Sequence, residues 1–515
     1  MSNFESPVER PFLILDFGSQ LTQLIARRMR ELHFYSEIVP FDEPLEKIKA
    51  MKPLGIILSG GPSSIYDENA PNRNIDELLD LAPILGVCYG MQLIAAHMGG
   101  IVQKSEQREY GRAKVIWKET FGHVPQEQMV WMSHGDVVKV PPANLKIVAT
   151  SDSGHPAALK GHRIWAVQFH PEVAHTEHGI EILKAFATQV AGALPNWNAP
   201  HIIEVLQSRV KAQVGLKDHI LVALSGGVDS TVVATLLTKT FGAERVHCVF
   251  VDNGLLRKNE FESVMTKYAA LGLNVKGVDA KKQFLTALAG ISDPEAKRKT
   301  IGRVFIEIFD ANKPAGVDVK WLAQGTLYPD VIESVSARGG PSVTIKSHHN
   351  VGGLPDKMNL KLVEPVRELF KDEVREIGKR LGLPQDMLMR HPFPGPGLSI
   401  RILGEITQEK IDTMLAADDI FISKLKEKDL YHKIWQAFCV LLPVKTVGVQ
   451  GDGRTYENVL ALRAVTSQDG MTADWYPFEF NFLREVSNEI TNRVRGVNRV
   501  VYDITSKPPG TIEWE

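Results

Sequence analysis

Apolar positions along this chain gather into short runs that alternate with stretches of helical period. Phe12-Leu13-Ile14-Leu15-Asp16, Gly55-Ile56-Ile57-Leu58 and Pro83-Ile84-Leu85-Gly86-Val87 each read as a strand buried on both faces. After the first run, Leu21, Leu24, Ile25, Met29 and Leu32 recur at helical spacing, with Ser19 as the expected cap. Such alternation predicts a parallel sheet covered by helices, and it runs on to a strand over 164–169 and a helix around 180–190. Residues 191–200, rich in Ala, Gly, Pro and Asn, carry no period and read as a linker. A second α/β series follows, with strands at 220–224, 246–251, 274–278 and 319–323. Arg390-His391-Pro392-Phe393-Pro394-Gly395-Pro396-Gly397 breaks all regular structure. Beyond it, strands at 445–449 and 499–503 mix with a helix around 478–494. The pattern predicts two doubly wound parallel-sheet domains of α/β class, over 11–197 and 198–390, followed by a smaller α+β domain over 391–515.

Composition adjusts this picture little. A chain of 515 residues is too long for one core. Its formal charge, 59 − 61 = −2, offers no basic surface for nucleic acid or an acidic membrane. No apolar run is long enough to span a bilayer, and residues 1–10 are too polar for a signal peptide. The three cysteines, Cys88, Cys248 and Cys439, make neither a disulfide framework nor a zinc cluster and fit a reducing cytoplasm. Cys248 lies in an apolar strand and reads as core.

Two stretches carry chemistry. Ser225-Gly226-Gly227-Val228-Asp229-Ser230-Thr231 lies between an apolar strand and a helix pattern, with Ser230 placed to cap the helix. A glycine-rich turn at a helix N-terminus presents free amides and the positive end of the dipole, which is an anion site. No Gly-Lys-Ser/Thr follows the glycines, so it is not the usual phosphate loop. It resembles the pyrophosphate loop of enzymes that split ATP between its first and second phosphates. The second stretch, Gly86-Val87-Cys88-Tyr89-Gly90, sets a cysteine between two glycines at a strand-to-helix turn. That elbow projects a nucleophile and favours its thiolate. In Gln168-Phe169-His170-Pro171-Glu172, His170 would take the thiol proton and Glu172 would orient the ring.

Cys88, His170 and Glu172 together resemble the triad of the class I glutamine amidotransferases. The resemblance implies an oxyanion hole from the backbone of Ser59-Gly60-Gly61-Pro62, at Gly60, and of Tyr89. It also implies that Gln92, Ser133, His134 and Asp136 lie near bound glutamine. The ammonia released would be used at the ATP loop.

Further stretches identify the acceptor: Gln324-Gly325-Thr326-Leu327-Tyr328-Pro329-Asp330, residues 346–355 and 390–397, and the tail Val501-Tyr502-Asp503-Ile504-Thr505-Ser506-Lys507-Pro508-Pro509-Gly510-Thr511-Ile512-Glu513. Through them the chain resembles the glutamine-hydrolysing GMP synthase family over nearly its full length. The resemblance implies that xanthosine monophosphate (XMP) is adenylylated by ATP with loss of pyrophosphate, and that ammonia then displaces AMP to give GMP. Loop amides with Ser225, Ser230 and Thr231 would hold the pyrophosphate, with Gly226, Gly227 and Val228 supplying backbone. Asp229 would either contact Mg2+ arriving with ATP or cap its own loop, and no tightly bound organic cofactor is implied. Residues 293–299 resemble a lid loop in which Arg298 and Lys299 meet phosphate. Lys507 and Glu513, with Gln450 and Asp452, would bind XMP, and the last domain would form a homodimer. Two other readings compete. A tRNA-thiolating enzyme would need a basic face and further reactive cysteines, and a catalytically dead sensor would have lost Cys88.

Overall fold

Residues 10–328, 331, 360–450, 452–467 and 472–515 are described by a computed structural model. They form two compact units that meet in sequence at Val205 and Leu206. Residues 346–355, Pro329 and Asp330 lie outside the described residues, as does the side chain of Gln450. Among the described residues no helix is long and apolar enough to cross a membrane.

The first unit is built on one nine-stranded sheet. Its strands are β1 (Phe12–Asp16), β2 (Ser36–Pro40), β3 (Gly55–Leu58), β4 (Ile84–Val87), β5 (Ile101–Trp117), β6 (Glu127–Val140), β7 (Lys146–Ser151), β8 (Pro156–Lys160) and β9 (Ile164–Val167). They lie in the order β2-β1-β3-β4-β9-β8-β7-β5-β6. The half from β2 to β9 is parallel, as the strand–helix alternation predicts. From β9 outward the pairing turns antiparallel, so the sheet is mixed rather than purely parallel. Residues 101–160 carry no helix; β6 folds back on β5 and β8 on β7, while β7 pairs with β5 rather than β6. The inner strands are apolar throughout because helices cover both faces; Leu13, Leu15, Ile56, Leu58 and Ile84 pack with Tyr89, Met91 and Ile94 of the helix Tyr89–His97. The helix Thr22–Glu31 starts later than Ser19, whose Oγ accepts from Leu21 N at 3.1 Å; Leu21 holds the cap position without a side-chain bond.

The second unit holds a parallel sheet of β10 (His219–Leu224), β11 (Val246–Asp252), β12 (Val275–Asp279), β13 (Val319–Ala323) and β14 (Lys361–Val363), in the order β12-β11-β10-β13-β14. Strand order reverses on either side of β10, which makes the C-terminal edge of β10 the place where such sheets bind ligands. A second sheet contains β15 (Gln436–Gln450), β16 (Gly453–Thr466), β17 (Asp474–Trp475) and β18 (Val497–Tyr502). The helices Gln408–Glu427 and Phe480–Arg493 share a core with it. That core is continuous with the parallel sheet: Leu221, Val249, Ile301, Met414, Phe421, Cys439, Leu460 and Val486 belong to one buried cluster. The Pro-Gly run at 390–397 is therefore a packed crossing rather than a free linker. Gly397, at φ +66°, has no room for a Cβ, which would sit 2.4 Å from Leu255 O.

Candidate active sites

Strand β4 delivers Cys88 at φ 53°, ψ −105°, a backbone conformation that few side chains adopt, at the start of the helix Tyr89–His97. The flanking glycines are required by space. A Cβ on Gly86 would lie 2.6 Å from Ile94 Cδ1, and one on Gly90 would lie 2.5 Å from Leu58 O. His170 follows β9; its N–H donates to Trp131 O at 3.0 Å, while Thr176 Oγ1 donates to its carbonyl at 2.6 Å. Its Nδ1 lies 2.8 Å from Glu172 Oε1, with both side chains buried. That bond places the proton on Nδ1 and leaves Nε2 for the cysteine. Burial disfavours the His170 cation, but the Glu172 carboxylate and the Cys88 sulfur outweigh it and hold the ring's pKa up at about 10. An imidazolium beside the sulfur is the setting of a reactive cysteine. Arg28 Nε donates to Glu172 O at 3.0 Å and fixes the backbone behind the carboxylate.

Gly60 closes the site from the other side. A Cβ there would come within 3.1 Å of His170 Cε1 and 3.7 Å of Cys88 Cβ. The Tyr89 amide is the first of its helix, so it has no intrahelical acceptor. Gln92 Nε2 donates to Asp136 O at 2.9 Å, Ser64 Oγ donates to Asp136 Oδ2 at 2.5 Å, and Cys88 Sγ is 3.7 Å from Ser133 O. The structure thus brings residues 133–136 to the nucleophile. His134 is buried with both ring nitrogens committed, Nδ1 to Asp136 O and Nε2 to Glu109, both at 3.0 Å. Glu109 gave no signal in the sequence, since only strand pairing brings it opposite His134.

At the second site the chain leaves β10, turns through Ser225 and Gly226, and enters the helix Val228–Phe241 with Gly227 as cap. Ser230, expected as the cap, lies inside the first turn and reaches back instead. Its Oγ accepts from Ser225 N at 3.2 Å and lies 3.1 Å from Ser225 Oγ. Thr231 Oγ1 donates to Gly227 O at 2.7 Å. These bonds stiffen the loop, while the amides of Val228, Asp229 and Ser230 remain the orphan donors of the helix start. Gly226 sits at φ +76°, and Arg390 Nη1 donates to its carbonyl at 2.9 Å while pairing with Glu260. Gly325 lies directly on the loop; a Cβ there would be 3.0 Å from Asp229 C and Ser230 N.

A lysine from elsewhere in the chain reaches the loop. Lys371, first residue of the helix Lys371–Leu381, donates to both Asp229 oxygens at 2.7 and 2.6 Å. Among the described residues no group of three or more His, Cys, Asp and Glu could hold a metal ion.

The expected lid loop is the first turn of an 18-residue helix, Pro294–Ala311. Asp293 caps it, accepting from Ala296 N at 2.8 Å, and Pro294 occupies its first position, a helix-start signature. Arg298 Nη2 donates to Glu515 O at 2.6 Å, and Lys299 is exposed. Lys297, fully buried, donates to Ser399 O, Ile402 O and Glu515 Oε2. Burial lowers its pKa against the pull of Glu515.

In the tail, Lys507 pairs through its backbone with Ala473, and the peptide bonds Lys507-Pro508 and Pro508-Pro509 are cis. Glu513 Oε1 accepts from Arg401 Nη2 at 2.8 Å and Gln436 Nε2 at 2.6 Å. Arg401 is fully buried over Phe438 and Phe393. Asp452 lies in the β15–β16 turn, at the opposite end of β15 from Gln436 and roughly 45 Å away at the usual strand rise. Within one chain the structure does not bring Gln450 and Asp452 to Glu513.

Three family models match successive parts of the chain. Residues 13–190 match the family model of class-I glutamine amidotransferases, 199–303 that of NAD synthase and 423–514 that of the GMP synthase C-terminal domain. The chain is 67% identical to the glutamine-hydrolysing GMP synthase of Bdellovibrio bacteriovorus, over 98% of this chain and 100% of that one. It is 56% identical to the corresponding protein of Cytophaga hutchinsonii and 54% identical to that of Christiangramia forsetii, each over 98% of this chain and 99% of the relative. With that identity sustained from end to end, the chain belongs to the glutamine-hydrolysing GMP synthase family.

Proposed function

We propose that this chain converts XMP, ATP, glutamine and water to GMP, AMP, pyrophosphate and glutamate, with the work divided between the two sites. In the first, Cys88 attacks the glutamine amide carbon, and His170 passes a proton to the departing ammonia. The amides of Gly60 and Tyr89 stabilise the oxyanion. Water, deprotonated by His170, then cleaves the thioester to glutamate. In the second, the 2-oxygen of XMP attacks the α-phosphorus of Mg–ATP and pyrophosphate leaves. Ammonia then adds at C2 and AMP departs. The amides of residues 228–230, the hydroxyls of Ser225, Ser230 and Thr231, and Lys371 would hold the pyrophosphate; positioning and charge carry most of such a step.

Lys507 and Glu513 would hold XMP, with Arg401 and Gln436 fixing the Glu513 carboxylate. Of the expected lid residues, exposed Lys299 is the one left to meet phosphate, since Arg298 is tied to the tail. The exposed apolar side chains Val444, Val447, Val449 and Tyr456 support dimerisation through the β15–β16 hairpin. Three buried free cysteines favour a reducing, cytoplasmic setting.

The observation that carries this reading is the buried Cys88–His170–Glu172 alignment in one chain with the Ser225–Thr231 loop. Incubation with XMP, Mg–ATP and glutamine should yield GMP and AMP in equal amounts. Appearance of ADP in place of AMP overturns the α-phosphate step.

A further inference from the structure

Beside the nucleophile, β5 and β6 fall out of register. Lys104 faces Asp136 and Glu109 faces His134, so β5 advances five residues (109 − 104) while β6 advances two (136 − 134). A bulge of this kind interrupts the ladder that would otherwise hold β6. The weakened stretch is the one whose carbonyls reach the site: Ser133 O lies 3.7 Å from Cys88 Sγ, and Asp136 O accepts from Gln92 on the cysteine's own helix.

A buried side-chain couple spans the gap. His134 Nδ1, 3.0 Å from Asp136 O, must carry a proton to bond a carbonyl. Its Nε2 lies 3.0 Å from Glu109 Oε2, an ionic contact angled short of a hydrogen bond. Burial pushes the Glu109 carboxyl up, but His134, with the Ser151 and Ser153 hydroxyls, outweighs it and holds it at about 2, so the carboxylate is charged at any working pH. Asp136 O and Glu109 Oε2 thus face the ring from two sides, one at each nitrogen. A neutral residue at 109 would remove the carboxylate that faces Nε2.

We propose that Glu109 is a positioning residue of the glutaminase site: through His134 it fixes the carbonyls of Ser133 and Asp136, the wall against which glutamine is held. His134 then serves the site through the backbone rather than by touching substrate. The proposal rests on the reading that residues 133–136 border bound glutamine.

The test uses the full-length chain with Glu109→Gln, His134→Gln and the double substitution. Glutaminase kinetics are measured beside ammonia-driven GMP synthesis. Glu109→Gln should raise KM for glutamine by about tenfold, the equivalent of one pKa unit of lost interaction, with kcat falling much less. Ammonia-driven synthesis should be unchanged. The double variant should be no worse than His134→Gln alone, because Glu109 acts only through the ring. Alkylation of Cys88 by a small thiol reagent should keep its rate, while labelling by a glutamine-shaped electrophile should slow. Unchanged KM, additive effects, or equal loss of both labelling rates overturns the proposal. If Glu109→Gln does not fold, Glu109→Asp keeps the charge at a shorter reach and should still raise KM; wild-type KM there also overturns it. Absence of glutaminase activity in the unmodified chain would instead overturn the function on which the proposal rests.

Discussion

Replacing Glu172 by Gln should turn a pH-tolerant glutaminase into one that fails progressively as pH rises. His170 is held at about 10, from an ordinary 6.5, against burial that by itself lowers it. The Glu172 carboxylate is the largest influence raising it, and Glu172→Gln removes that charge while keeping a side chain of the same shape. The ring's pKa should then fall from about 10 towards its ordinary value. At pH 8 a group of pKa about 10 is about 99% protonated and one of 6.5 about 3%, a roughly 30-fold fall in the cation beside the Cys88 sulfur. At pH 6 the same comparison gives a difference of about 1.3-fold. Glutamine-driven kcat/KM should therefore show a deficit that widens about 25-fold between pH 6 and pH 8, in excess of any constant loss from misorientation. Ammonia-driven synthesis provides the control. A deficit of equal size at pH 6 and pH 8 would refute the reasoning, since Glu172 would then act by orientation alone. The same shift carries a sign for stability. A raised pKa contributes stability fully below about 6.5 and loses it as pH climbs towards about 10, so the folded first unit should weaken over that alkaline window.

Cys88→Ala should abolish GMP synthesis from glutamine and spare synthesis from ammonia; loss of both in folded protein would refute the two-site division. Lys371→Met should lower both routes by about 100-fold, the scale of removing one group that stabilises transferring charge, while glutaminase activity without ATP persists. Lys297→Met strands the Glu515 carboxylate in a buried position and should reduce unfolding free energy by about 3 kcal/mol in a denaturant titration. Adding Glu515→Gln should recover part of that loss. Val449→Glu, on the exposed hairpin strip, should shift the chain towards monomer in light scattering.

What the sequence disclosed of the fold was whatever repeats locally. Strands buried on both faces are continuous apolar runs, and β1, β3 and β4 lie where those runs lie. The antiparallel half of the first sheet was illegible because β5 runs through the polar stretch 103–109 and no helix separates it from β6. The helix Pro294–Ala311 begins inside a charge-rich stretch, yet Asp293-Pro294 is a start signal that charge density obscured. The long β15 showed only its distal half, since its first half runs through Gln436 and the core residues Phe438 and Val440 without a turn to announce it.

At the sites the same division has a chemical reason. Groups that must be projected from one turn are contiguous, so the Cys88 elbow, His170 with Glu172, and the Ser225–Thr231 loop are motifs. Groups that neutralise or orient them need only arrive in space. Asp229 meets a lysine 142 residues away, and Glu513 meets Arg401 112 residues away. His134 meets Glu109 only because a bulge resets the pairing of two strands. Each of these partners is a charge placed against a buried or half-buried opposite charge, where a lone ion would be costly. The contiguous motifs therefore require such partners without revealing where in the chain they come from. A loop that holds pyrophosphate without a lysine of its own still needs a cation, and a buried histidine caught between two acceptors still needs a carboxylate. The residues that answer those needs, Lys371 and Glu109, are the ones whose substitution separates positioning from chemistry at the two sites.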